Sequence, residues 1–89
     1  MAATEITTST STFGASPGET GQFSVEITGA CVCTIQFKPD TSGMGGTPPT
    51  LAWSDLFITA LSGNWTLPVH SAMRIQTTGT GTAKCVVWR

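Results

Sequence analysis

Between residues 22 and 37, large apolar side chains fall on odd positions and mostly polar ones on even positions. Phe23, Val25 and Ile27 alternate with Gln22, Ser24, Glu26 and Thr28. The pattern resumes with Cys31, Cys33, Ile35 and Phe37 set against Val32, Thr34 and Gln36. A period of two marks a strand with one buried face. Both inward sets are odd-numbered, so a tight hairpin between the two strands needs an odd loop, and Thr28-Gly29-Ala30 supplies it. The same logic joins Met73, Ile75 and Thr77 to Ala83, Cys85 and Val87 across Gly79-Thr80-Gly81. Residues 51–58 are expected to form a strand, because β-branched and aromatic residues dominate. Trp53, Leu56, Phe57, Ala60 and Leu61 carry a competing helical spacing. A short strand over 64–69 reads as an edge strand, since Pro68 removes a ladder donor. Residues 14–21 form a turn cluster around Pro17-Gly18, and residues 38–50 form a long Gly- and Pro-rich loop suited to contact.

Six or seven strands in 89 residues give an all-β chain, a small antiparallel β-sandwich of jelly-roll-like form. Residues 13–89 make up the single sandwich domain, with the long loop at 38–50. Residues 1–12 are a polar, extended N-terminal arm in which Ile6 is the one large apolar side chain, and a neighbouring chain is expected to hold it. The last strand is apolar on its second face too, at Val86 and Trp88, and that face needs a cover from this chain or a partner. The expected partner interface therefore comprises Ile6, Thr8 and Thr10 of the arm, Met44 of the long loop, and Val86 with Trp88. A domain of this size is marginally stable alone, which favours oligomerisation.

Composition narrows the function. Charged residues are 10% of the chain and the net charge is −1, against roughly 25% charged in an average globular protein. Thr, Ser and Gly fill 35 of the 89 positions instead. There is no basic patch for phosphates, so nucleic acid is not an expected partner. No apolar run approaches the roughly 18 residues of a membrane-spanning helix. The first residues lack the basic and apolar regions of a signal peptide, so secretion by that route is not expected.

Reactive chemistry is sparse. Cys31 and Cys33 lie two apart on one strand face, at the geometric limit of a bridge, whereas a bond from Cys85 to either is open if their strands are neighbours. All three occupy apolar phases and read as small core hydrophobes. A three-thiolate zinc site would need a fourth ligand, and the only histidine, His70, is isolated in sequence. His70 and Ser71 point to opposite strand faces and make no dyad. Nothing converges on Asp40 and Asp55. Gly79-Thr80-Gly81 resembles a phosphate loop but lacks the helix and Lys-Ser/Thr pair, and reads as a hairpin turn. No enzymatic role, cofactor or metal is expected. Trp53 and Trp65 could stack on sugar rings with the 38–50 loop beside them, which is the carbohydrate-binding adhesin alternative.

The segment GNWTLPVHSAMRIQTTGTGTAKCVVWR resembles the closing part of small β-sandwich structural proteins of tailed bacteriophages. Trp65, Arg74, Ile75, the Thr-Gly-Thr-Gly-Thr turn and Val86-Val87 occupy the matching places. Upstream, FSVEITGACVCTIQFKPD is similar to that family's opening hairpin, so the resemblance covers residues 22–89. Cysteines at two successive inward positions and the Gly/Pro-rich central loop depart from the pattern. The resemblance implies a virion structural protein, assembled in the host cytoplasm. The first expectation is a capsid decoration (cement) subunit, with copies of itself and a major capsid protein as partners. A cyclic trimer would suit a capsid three-fold position. A head–tail connector or a tail or fibre component is the alternative, and copy number per particle separates the two.

Overall fold

The computed structural model describes residues 2–16, 18–38, 46 and 52–89. Eight strands follow one another: β1 (Ala3–Ile6), β2 (Ser11–Thr12), β3 (Thr20–Thr28), β4 (Cys31–Lys38), β5 (Ser54–Thr59), β6 (Gly63–Pro68), β7 (Ala72–Gly79) and β8 (Thr82–Trp88). They form two four-stranded antiparallel sheets. The front sheet runs β1-β8-β3-β6 and the back sheet β2-β7-β4-β5. Eight strands distributed in this way over two facing sheets make a jelly roll.

Consecutive strands alternate between the sheets, and only β4 and β5 are both consecutive and adjacent. The two expected hairpins are corrected by this topology. β3 and β4 lie in opposite sheets, as do β7 and β8, so their short links are arches that cross the sandwich. The physical reason is parity. Two strands that bury the same parity through an odd link face one interior equally well from one sheet or from two. Alternation reports which side of a strand is buried, not which sheet holds it.

Glycine fits the two arches together. The Gly81 amide donates to the Ala30 carbonyl at 2.8 Å, and a Cβ on Gly81 would strike the backbone of Thr28 and Ala30. Gly79 has a φ of +103°, a region other residues rarely adopt, and a Cβ there would meet the Ala30 carbonyl. The Gly-Thr-Gly segment is therefore a sheet-crossing corner pressed against a second corner, not a hairpin turn.

The structure has eight strands rather than the expected six or seven, and β1 and β2 come from the arm. Residues 3–6 pair antiparallel with β8, from Ala3↔Trp88 to Ile6↔Cys85, and residues 11–12 pair with β7. Ala2 and Arg89 exchange both backbone hydrogen bonds at 3.0 Å, the Ile75 amide donates to the Thr7 carbonyl, and Phe13 donates to Ser71. Ile6 is 1% exposed. The arm is extended, but it closes this chain's own sheets, so Ile6 is a core residue rather than a partner contact. Single apolar residues at 6 and 13 suffice because each drops into the interior, where burial is worth about 1.5–3 kcal/mol.

Phe23, Val25, Cys85 and Val87 from the front sheet meet Cys33, Ile35, Met73 and Ile75 from the back sheet to form the core. The expected strand at 51–58 is present as β5, beginning at Ser54. Its pairing with β4 steps from Ile35↔Phe57 to Gln36↔Asp55, so Leu56 is an extra, bulged residue. The bulge leaves Leu56 and Phe57 both half-buried and accounts for the ambiguous period of this segment. Phe57 packs against Trp65 of β6 with the rings tilted by 48° and their centroids 4.7 Å apart, closing the side of the sandwich where both sheets end. The long-loop expectation for 38–50, including Met44 and Asp40, falls outside the described residues apart from Lys38 and Gly46.

Candidate functional site

The outer face of the front sheet is built from the positions that do not enter the core. Register sets them in rows across the four strands. Ala3, Trp88, Gln22 and Thr66 form one row, Glu5, Val86, Ser24 and Asn64 the next, and Lys84 with Glu26 a third. Trp88 is 40% exposed and Val86 is half-buried. Nothing else in the described chain covers this strip. The Ser24 hydroxyl donates to Asn64 Oδ1, and the Asn64 amide nitrogen has no hydrogen-bond partner among the described residues. Among the described residues the only ion pair is Arg89–Glu19, at 2.6 Å. Glu26 and Lys84 therefore stand side by side on β3 and β8 without pairing. Together with Ser24, Asn64 and Val86 they rim a shallow depression of about 410 Å³.

The outer face of the back sheet differs. Arg74 Nε donates to Gln36 Oε1 at 2.8 Å, and Gln36 Nε2 donates to Asp55 Oδ1 at 2.9 Å. This chain of bonds crosses β7, β4 and β5. The Arg74 guanidinium lies 4.4 Å from the Trp53 ring centroid and Lys38 Nζ 5.1 Å from it, both within cation–π range. Val32 and Ile58 are exposed toward the β5 edge.

The sequence-derived candidates separate accordingly. Val86 and Trp88 share the front face. Thr8 and Thr10 are exposed in the link between β1 and β2, and Ile6 is in the core. Trp53 and Trp65 do not form a common platform. Trp53 lies beneath the cations of the back face, whereas Trp65 packs against the core beside Phe57. Sequence reasoning missed Glu5, Gln22, Glu26, Asn64 and Lys84 as a set. Their polar phase was legible, but the β3–β8 and β1–β8 pairings that make them one surface were not.

The remaining titratable groups have structural surroundings. All three cysteines are free and buried, consistent with the core reading and not with a bond from Cys85. Burial, with Cys33 nearby, pushes the Cys85 thiol up to about 12. Burial, with Cys31 nearby, also raises Cys33. His70 stacks on Phe37 with centroids 4.0 Å apart, and burial lowers its pKa. The hydrogen bond from Arg89, helped by the Ser16 amide, holds the Glu19 carboxyl below its usual range. His70 and Glu19 border a cleft of about 460 Å³, where Glu19 is already engaged by Arg89. No group of three or more His, Cys, Asp or Glu side chains comes together among the described residues. Among the described residues no helix is long and apolar enough to cross a membrane. Comparison with protein-family models, curated proteins and solved structures finds no match to this chain.

Proposed function

We propose that this protein is a bacteriophage virion structural protein, a capsid decoration subunit that associates with copies of itself and stabilises the assembled head. The observation that carries this reading is the Val86–Trp88 strip. It lies on β8, an inner strand of the front sheet, with Trp88 exposed and Val86 half-buried. An apolar strip rimmed by polar and charged side chains (Gln22, Ser24, Asn64, Thr66, Glu5, Glu26 and Lys84) is the composition expected of a surface that is covered on assembly. The jelly roll recurs in viral capsid and lectin domains, which supports the reading only as an analogy of fold. A subunit that binds the closed shell better than its dissociated parts stabilises that shell by mass action.

Quantitative mass spectrometry of purified particles, with a reconstruction locating the density, tests the proposal. Hundreds of copies on the head surface are expected, whereas about six or twelve would make the protein a connector or tail part. Particles lacking it should lose infectivity at lower temperature than complete ones. Unchanged resistance to heat and chelator would overturn the stabilising role.

A further inference from the structure

We infer that two copies of this chain associate back to back through the outer face of the front sheet, about a two-fold axis running between β3 and β8 parallel to the strands. The inference rests on the self-association in the proposed function and assigns it a face and a register.

The argument is one of self-complementarity. An interface about a two-fold axis lays a surface on its own copy, so each group must find its partner on the same face. With the axis between β3 and β8, every row is read against itself in reverse. Lys84 then faces Glu26 of the second copy, and Glu26 faces Lys84, because the two are direct neighbours on the strands flanking the axis. In the next row Glu5 meets Asn64 of the second copy. The Asn64 amide nitrogen is available for that carboxylate because Ser24 already occupies Asn64 Oδ1. By the same reading Val86 faces Ser24 and Trp88 faces Gln22 of the second copy, each diagonal to its own copy across the axis, while Ala3 lies over Thr66. All three charges on this face, Glu5, Glu26 and Lys84, thus receive a complementary group. A two-fold axis perpendicular to the strands through the Ser24–Val86 row would instead set Glu26 over Gln22 and leave the carboxylate without an opposite charge. Aligned sheets pack face to face at about 10 Å with their strand directions within about 30° of each other, a condition this arrangement meets.

The size of the face sets the strength. Four strands at about 4.8 Å spacing and about seven residues at about 3.4 Å give a projected area of roughly 450 Å². Stable complexes bury about 800 Å² per partner, so this dimer is weak in dilute solution. It is favoured where subunits are held close together, as on a particle.

Sedimentation velocity of the purified full-length chain over rising concentration tests the inference without any particle. Wild type should self-associate, and added salt should weaken it. E26K and K84E should each weaken association about tenfold or more, through like charges across the axis. The double variant E26K/K84E should restore it to within about threefold of wild type, because the pairs re-form with exchanged sign. Circular dichroism and thermal midpoints serve as the folding control, since both side chains are exposed. A wild type that stays monomeric even at about 1 mM, single variants that associate normally, or a double variant no better than the singles would each overturn this face. Head binding is assayed separately, so an intact dimer that never binds particles would sink the decoration reading and leave the dimer standing.

Discussion

On the outer face of the back sheet, Arg74 bonds Gln36, Gln36 bonds Asp55, and Trp53 lies under the Arg74 guanidinium. On the outer face of the front sheet, Glu26 and Lys84 occupy an equally close cross-strand position and do not close on each other, while Trp88 stands 40% exposed. One face uses its aromatic ring and its charges internally, and the other leaves both available. Neither face contributes much to folding, since exposed polar pairs are typically worth less than about 1 kcal/mol. The difference is therefore about recognition rather than stability. A tryptophan is evidence for binding only when its own chain has not already occupied its ring, which is why Trp88 and not Trp53 belongs to the candidate surface.

The largest test breaks the front face at its foundation. Ile6→Ala should cost about 2–5 kcal/mol in urea unfolding, the range for truncating a buried aliphatic side chain. It should also loosen β1, which carries Ala3 and Glu5 on that face. A loss below about 0.5 kcal/mol, the range of an ordinary surface substitution, would show that the arm is not part of the core.

The corner that joins the sheets comes next. Gly81→Ala drives a methyl group into the Thr28 and Ala30 backbone and should destabilise by about 1–3 kcal/mol, as overpacking does. Gly14→Ala, with nothing within 4 Å of the added carbon, should shift the unfolding midpoint little. Equal effects would mean that the two arches do not meet.

A smaller pair addresses the comparison directly. Gln36→Ala removes the middle of the back-face chain and should cost about 1 kcal/mol, the net worth of a hydrogen bond or two at a half-exposed site. Glu26→Gln on the front face should stay within about 0.5 kcal/mol of wild type, as surface substitutions away from partners do. If Glu26→Gln cost as much as Gln36→Ala, the front face would also be stabilising itself, and the contrast would fail.

The smallest effect is in pH. Burial lowers the His70 pKa from 6.5, so the unfolded chain binds more protons just below that value. Stability should therefore fall as pH drops below 6.5 and level off below the folded-state value. Glu19, held below 4.5 chiefly by the hydrogen bond from Arg89, adds a second loss as pH falls below 4.5. His70→Phe, which keeps a ring against Phe37, should abolish the first loss and keep the second in urea midpoints measured across the range. Persistence of the first loss in that variant would place its origin elsewhere.

Much of the architecture was legible in the chain, and the gaps have physical causes. Alternation at 22–37 and 73–87 correctly assigned which side of each strand is buried, because the pleat forces neighbouring side chains to opposite faces. The cysteines were readable as core for the same reason. The arm was harder to read. Four residues with one isoleucine carry no period, and their burial depends on an open β8 edge that only the assembled sandwich offers. At β5, a bulge at Leu56 blurred the period.

The sequence by itself determined the inward and outward faces, the positions of the turns and the absence of a basic or membrane-spanning signature, since these follow from local chemistry. Tertiary structure alone decided which sheet each strand joins, that the arm completes both sheets, and that Glu5, Glu26, Lys84 and Trp88 share one surface. Those are pairings between residues distant along the chain. Their selection depends on how two sheets stack and cross, and no local pattern encodes it.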